Sequence, residues 1–155
     1  GLRSRLEDYG CYGTPVIAPT NGVVTHVAND QPYNPPGVRG TGNIFGNMVV
    51  LKLETGTYLL IVHLQRGSVR VKEGDTVNEG DILGACGNSG NTNGPHIHIH
   101  HQRQDPMTSP ANLAEGLPLY FRDLDGAPMP KGGFGRQEGA RVFIGDHVRH
   151  AAPRT

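Results

Sequence analysis

Apolar residues in this chain fall in short runs broken by Gly, Pro, Asn and Asp. Residues 14–18 (TPVIA), 22–28 (GVVTHVA), 47–54 (NMVVLKLE) and 57–63 (TYLLIVH) have the length and β-branched content of strands, not helices. The turn PTNG between the first two predicts one hairpin, and Thr55-Gly56 between the second two predicts another. Residues 29–46 (NDQPYNPPGVRGTGNIFG) read as a long surface loop, and a loop of that length in a compact domain is usually functional or mobile. Residues 68–86 repeat one unit, VKEGD then VNEGD. Each places Gly before Asp between β-branched residues and predicts a tight corner of a sandwich or barrel. Beyond Gln104 the pattern weakens. Residues 112–116 suit one helical turn, 119–122 and 141–144 edge strands, 131–135 a turn-rich linker, and everything after Asp146 a frayed tail. The expectation is an all-β fold: one antiparallel two-sheet or barrel-sandwich-like domain with a groove over residues 1–122. A C-terminal extension and tail follow over 123–155.

Chemistry enters at residues 94–101, GPHIHIHH. On a strand, alternate side chains share a face, so His96, His98 and His100 are expected to point one way. His101 is expected to face away. Protonated neighbours repel, so a row of imidazoles on one face is costly unless something binds there. Imidazole is also the commonest zinc donor and the commonest general base near neutral pH. The row therefore predicts a metal site with catalytic histidines beside it. His63, at the end of the apolar run LLIVH, joins that cluster if its strand lies beside the histidine strand. His26 is expected to face solvent, and His147 and His150 lie in the polar tail; none of the three is assigned a role.

Composition narrows the classes. The 155 residues are enough for one real core, and only 35% are apolar, with 23 Gly and 12 Pro, which agrees with short strands and many turns. Lys+Arg 14 balances Asp+Glu 14, so no basic stripe argues for nucleic acid, and no apolar run is long enough to span a bilayer. The Gly-rich residues 87–94 precede a strand, not a helix N-terminus, which argues against a phosphate cradle. The first residues carry no signal-peptide pattern, so the compartment is not readable there. Cys11 and Cys86 are too few for a disulfide scaffold; one bridge and two reduced thiols are equally consistent with the sequence.

Residues 62–102 resemble the lysostaphin-type (LytM-like) zinc metallopeptidases. The resemblance rests on Val62-His63-Leu64, on VKEGDTVNEGDILG at 71–84, on Gly87-Asn88-Ser89-Gly90, and on Gly94-Pro95-His96-Ile97-His98. Upstream, GTPVIA at 13–18 and Gly22-Val23-Val24 match as well. The resemblance implies a zinc-dependent endopeptidase with one Zn2+ per chain and His98 as a metal donor. It implies His63 and His96 as the catalytic pair. Its substrates would be peptidoglycan stem or cross-bridge peptides, met extracellularly or in the periplasm. His100 stands where many members carry Glu; it either supports the site from a second layer or is simply a strand residue. The family's other two donors come from an H-x-x-x-D element before the GTPV hairpin. Here no His precedes Gly13; Asp8 is the candidate carboxylate and Ser4 stands at the position of its partner. The donors missing here are expected in an upstream segment. Three alternatives go with this reading: a non-catalytic LytM-like module that binds cell-wall peptide or activates a hydrolase, a metallopeptidase acting on another peptide, and a biotinyl- or lipoyl-type carrier domain. The last shares the V-x-x-G-D turns, but Lys72 lacks the M-K-M context of a modified lysine.

Overall fold

In the computed structural model the described residues are 4–109 and 113–119, with strand segments 124–125, 134–137, 140–143 and 149–150. The strands are β1 (Pro15–Ile17), β2 (Gly22–Ala28), β3 (Asn47–Lys52), β4 (Tyr58–Leu64), β5 (Thr76–Val77), β6 (Ile82–Ala85) and β7 (His98–Gln102), then β8 (Leu124–Asp125), β9 (Phe134–Gln137), β10 (Ala140–Phe143) and β11 (Arg149–His150). A single 3-10 turn, Leu6–Asp8, precedes them. The fold is all-β and antiparallel, as the periodicity predicts.

The main sheet has the order β5-β2-β3-β4-β7, and β1 pairs with β6 in a second, smaller sheet. The apolar runs of β3 and β4 build the core. Val49, Val50, Leu51, Leu60 and Ile61 are fully buried, which at roughly 25 cal/mol per Å² makes this hairpin the main apolar contribution to stability. Its turn closes with Leu53 N–H donating to Thr57 O (2.9 Å) and Gly56 N–H to Leu53 O (2.9 Å). The repeated units behave as predicted. The Asp75 carboxylate accepts from Lys72 N–H (2.9 Å) and the Asp81 carboxylate from Asn78 N–H (2.7 Å). Gly74 and Gly80 take φ of +92° and +93°, where only glycine is unstrained.

Four expectations need correction. Residues 14–18 and 22–28 do not form a hairpin: β1 leaves for β6, and β2 pairs with β3 and β5. The PTNG turn joins two sheets, because Ala18 N–H and O are taken by Asp81 and Gly80 (2.8 and 2.9 Å). The linker assigned to 131–135 runs into a strand, since Phe134–Gln137 pairs with Ala140–Phe143. The tail contains paired residues, Arg149–His150 against Leu124–Asp125. His26 is half-buried, not solvent-facing: its Nε2 lies 3.1 Å from the Asp105 carboxylate. By contact the chain divides into two compact units, Gly1–Pro118 and Leu119–Thr155. Most of the edge strand expected at 119–122, and Asn112 of the expected helical turn, lie outside the described residues. Among the described residues no helix is long and apolar enough to cross a membrane.

Candidate active site

The site depends on one irregularity. Asn47 opposes Leu64 and Met48 opposes Val62, so His63 is an extra residue in β4 with no partner on β3. Such a bulge re-aims a side chain. Val62 pairs with His98, so their side chains share a face, and strict alternation would send His63 to the other one. Instead His63 takes φ +65°, the one non-glycine among the described residues with positive φ, and its N–H donates to Phe45 O (3.0 Å). Its ring turns to lie 4.9 Å from that of His96 and 5.6 Å from that of His98. A left-handed backbone on a histidine costs of order 1 kcal/mol and persists only when its surroundings enforce it.

Those surroundings are the loop of residues 87–94. The Nδ1–H of His63 donates to Ser89 O (2.8 Å), and the Nδ1–H of His96 to Gly94 O (2.9 Å), with Thr92 Oγ1 at 3.2 Å. With both Nδ1 positions occupied, each Nε2 is left as the working nitrogen. Ser89 is fixed in turn: its hydroxyl donates to Leu64 O (2.8 Å) and accepts from Asn47 N–H (2.9 Å). The Asn47 side chain bonds Gln31 N–H and O and Leu64 O at 2.8–3.2 Å. Sequence reasoning did not identify Asn47, Ser89 or Thr92 as part of the site. The signal was the polar run GNSGNTNG next to a histidine strand.

The strand itself begins at His98, so His96 is presented by the loop and not by strand alternation. His98 and His100 do share a face, with rings 6.4 Å apart. The Nε2 of His100 is buried without a hydrogen-bond partner. His101 faces the other way, as expected: it pairs with Leu59, its Nδ1–H donates to Pro118 O (3.0 Å) and Thr57 Oγ1 sits on its Nε2 (2.9 Å). Burial pushes the His63 imidazolium down to about 4; the Ser89 carbonyl opposes this and the neighbouring His96 and His98 add to it. Burial, and then His100 and His96, lower His98 as well.

Asp8 sits in the 3-10 turn. Its carboxylate accepts from Ser4 N–H (3.1 Å) and Arg5 N–H (3.0 Å), and these bonds, Arg5 first, hold it below the usual carboxylate range against some desolvation. The turn adjoins the entry to the histidine strand, since a Cβ added to Gly94 would lie 3.1 Å from the Tyr9 ring. A disulfide joins Cys11 to Cys86, and Gly13 N–H to Cys86 O (2.8 Å) reinforces it. Of the sequence-predicted residues, His63, His96, His98 and His100 come together in one row of rings. Asp8 is bound locally. Among the described residues no group of three or more His, Cys, Asp or Glu side chains is arranged to hold a metal ion.

Residues 7–110 match the model of peptidase family M23. Endolysin 2638A of Staphylococcus phage 2638A is 37% identical over 109 residues, covering 66% of this chain and 22% of that protein. The peptidoglycan DD-endopeptidase ShyA of Vibrio cholerae serotype O1 is 34% identical over 86 residues, covering 56% of this chain and 17% of that protein. The chain thus spans less than a quarter of the length of either curated relative. The solved structure of LytU is 30% identical, with a TM-score of 0.50 over 68% of this chain and 62% of that one. With the family model covering most of the chain and the histidine constellation in place, the chain belongs to peptidase family M23.

Proposed function

We propose that this chain is the peptidase module of a protein that cuts peptide bonds in bacterial peptidoglycan, in the stem or the cross-bridge, outside the cytoplasm. The observation that carries this reading is the strained bulge at His63. A backbone cost is spent to bring His63 beside His96 and His98, a placement that packing alone does not require. The relatives described as an endolysin and a peptidoglycan endopeptidase support the substrate class. The Cys11–Cys86 bridge supports an oxidising compartment.

The resemblance implies zinc, with His98 and Asp8 as donors. A catalytic zinc takes three protein ligands. The described residues present no such set, and Ser4 cannot replace an imidazole, so they do not by themselves fit a resident zinc. The chemistry assigned here is therefore that of the histidines. His63 is neutral at pH 7, its Nδ1–H is tied to Ser89, and its Nε2 lone pair can take a proton from a water attacking the scissile carbonyl. His96, tied at Nδ1, offers Nε2; when protonated it donates to the oxyanion that forms.

Hydrolysis of purified peptidoglycan by the full-length protein tests the reading. His63→Ala and His96→Ala are each expected to lower the rate by about 10²–10⁴-fold while the chain stays folded at the assay temperature, as circular dichroism would check. Unchanged rates in both variants would overturn it. A second reading, a non-catalytic module that binds cell-wall peptide or activates another hydrolase, is favoured by one observation, the incomplete donor set. Retention on peptidoglycan with no turnover by wild type, in the presence of zinc, would select it. Elemental analysis after dialysis, beside His98→Ala, reports the metal directly.

A further inference from the structure

The loop of residues 29–46 is not loose. Asn34 N–H donates to Asn88 O (2.7 Å), and Asn34 Nδ2 donates to Gly90 O (2.6 Å) and Thr92 O (3.0 Å). Asn88 Nδ2 returns a bond to Asn34 O (2.8 Å), and Asn91 N–H donates to Ile44 O (3.0 Å). The two loops approach so closely at Gly40 and Gly46 that an added Cβ would lie 2.2 Å from Gly90 O or 2.4 Å from Ser89. Their junction encloses a preformed slot of about 260 Å³ lined by Gln31, Asn34, Arg39, Thr41, Asn43 and Gly90, among others. Its walls are continuations of the segments that hold His63: Gly90 follows Ser89, and Asn43 lies two residues before Phe45.

Among the described residues, the lining of the slot carries one positive charge and no negative one. Arg39 is its one charged residue and has no ion pair or hydrogen bond among the described residues. Among the described residues the N–H groups of Thr41 and Gly42 have no acceptor. Among the described residues no carboxylate lines the slot; Asp30, beside Gln31 in sequence, is engaged by Gln31 Nε2 (3.1 Å). A planar guanidinium with free amide donors nearby matches a planar monoanion through paired charge-assisted bonds. One guanidinium balances one carboxylate, whereas a phosphate dianion would call for a second cation, and none lines the slot among the described residues.

We propose that this slot is a subsite for a free carboxylate on the peptide substrate, with Arg39 as the specificity-determining residue. The inference rests on the peptidase reading, because the slot is useful only if a peptide lies across the histidines.

The test is a titration of the full ¹⁵N-labelled chain with triglycine, carrying either a free C-terminal carboxylate or a C-terminal amide, followed by NMR. The carboxylate form is expected to shift Arg39 (backbone and Nε), Gly40, Gly42 and Gly90. It is expected to bind about tenfold more tightly than the amide, the usual scale of one charge-assisted contact. Arg39→Gln should abolish that preference and Arg39→Lys should keep part of it; Arg39 is exposed, so both should fold. Equal binding of the two peptides, or a preference that survives Arg39→Gln, overturns the subsite, as does the absence of any shift at the slot. Competition by inorganic phosphate stronger than by acetate would overturn the carboxylate assignment. Imidazole signals separate the two claims. Shifts at His63 and His96 without shifts at Arg39 leave the peptidase reading standing and remove the subsite; shifts at Arg39 without shifts at His63 and His96 mean an anion site off the peptide path, which overturns the subsite and leaves the peptidase reading to the hydrolysis assay.

Discussion

The β3–β4 hairpin and the paired loops 29–46 and 87–94 are neighbours built on different principles. The hairpin is held by apolar burial on both faces, with Val49, Val50, Leu60 and Ile61 entirely out of solvent. The loops are held by polar bonds: the side chains of Asn34, Asn88 and Ser89 bind backbone carbonyls and N–H groups across gaps of 25 to 58 residues in sequence. The first kind of region tolerates imprecision and supplies stability. The second fixes each ring nitrogen and supplies orientation. The difference teaches that damage to each should have a different signature, stability in one and imidazole geometry in the other.

The largest effect is expected from Leu60→Ala. It should lower stability by about 3 kcal/mol through lost burial and a cavity, read from the urea midpoint, while the His63 and His96 tautomers stay as they are in the folded fraction. Gly46→Ala should come next, at about 2 kcal/mol, because it forces a side chain onto a φ of +65° and against Ser89. Unlike the hairpin variant, it should disturb the His63 Nδ1–H resonance; an unchanged resonance would mean the loops do not position the ring. Asn34→Ala should cost about 1 kcal/mol and shift both His63 and His96, leaving His101 as an internal control because Thr57 and Pro118 hold it independently.

A pH titration sharpens the same contrast. The folded-state value for His63 is depressed, so the unfolded chain binds the proton more readily. Its contribution is fully present above about pH 6.5 and is lost as pH falls toward about 4 in the metal-free chain. His63→Asn should flatten that part of the stability profile. The smallest effect is expected from Arg103→Ala: the Arg103–Glu115 pair is exposed, and the melting temperature should not measurably change.

The hairpin was legible in the sequence because burial on both faces demands short continuous apolar runs, here broken at Thr55-Gly56, and the V-x-x-G-D corners because Gly and Asp each have a local reason to be there. The rest of the site depends on contacts remote in sequence. The bulge at His63 leaves no mark in LLIVHL, which reads as an unbroken strand, yet without it His63 would face away from His98. PTNG has ideal hairpin chemistry, but β1 finds its partner in β6, about 65 residues on. His26 looked solvent-facing because its partner, Asp105, lies 79 residues away. The choice between thiols and a bridge was open on two cysteines alone.

That bridge has a consequence for cleavage. The loop of residues 29–46, with Tyr33, Val38 and Ile44 all more than half exposed, offers a protease its bait between Cys11 and Cys86. A cut there would leave two pieces still joined through sulfur and through the sheet, migrating as one molecule until a reductant is added. A nicked population would therefore pass unnoticed on a non-reducing gel, with the histidines still held beside one another by a chain that is no longer continuous.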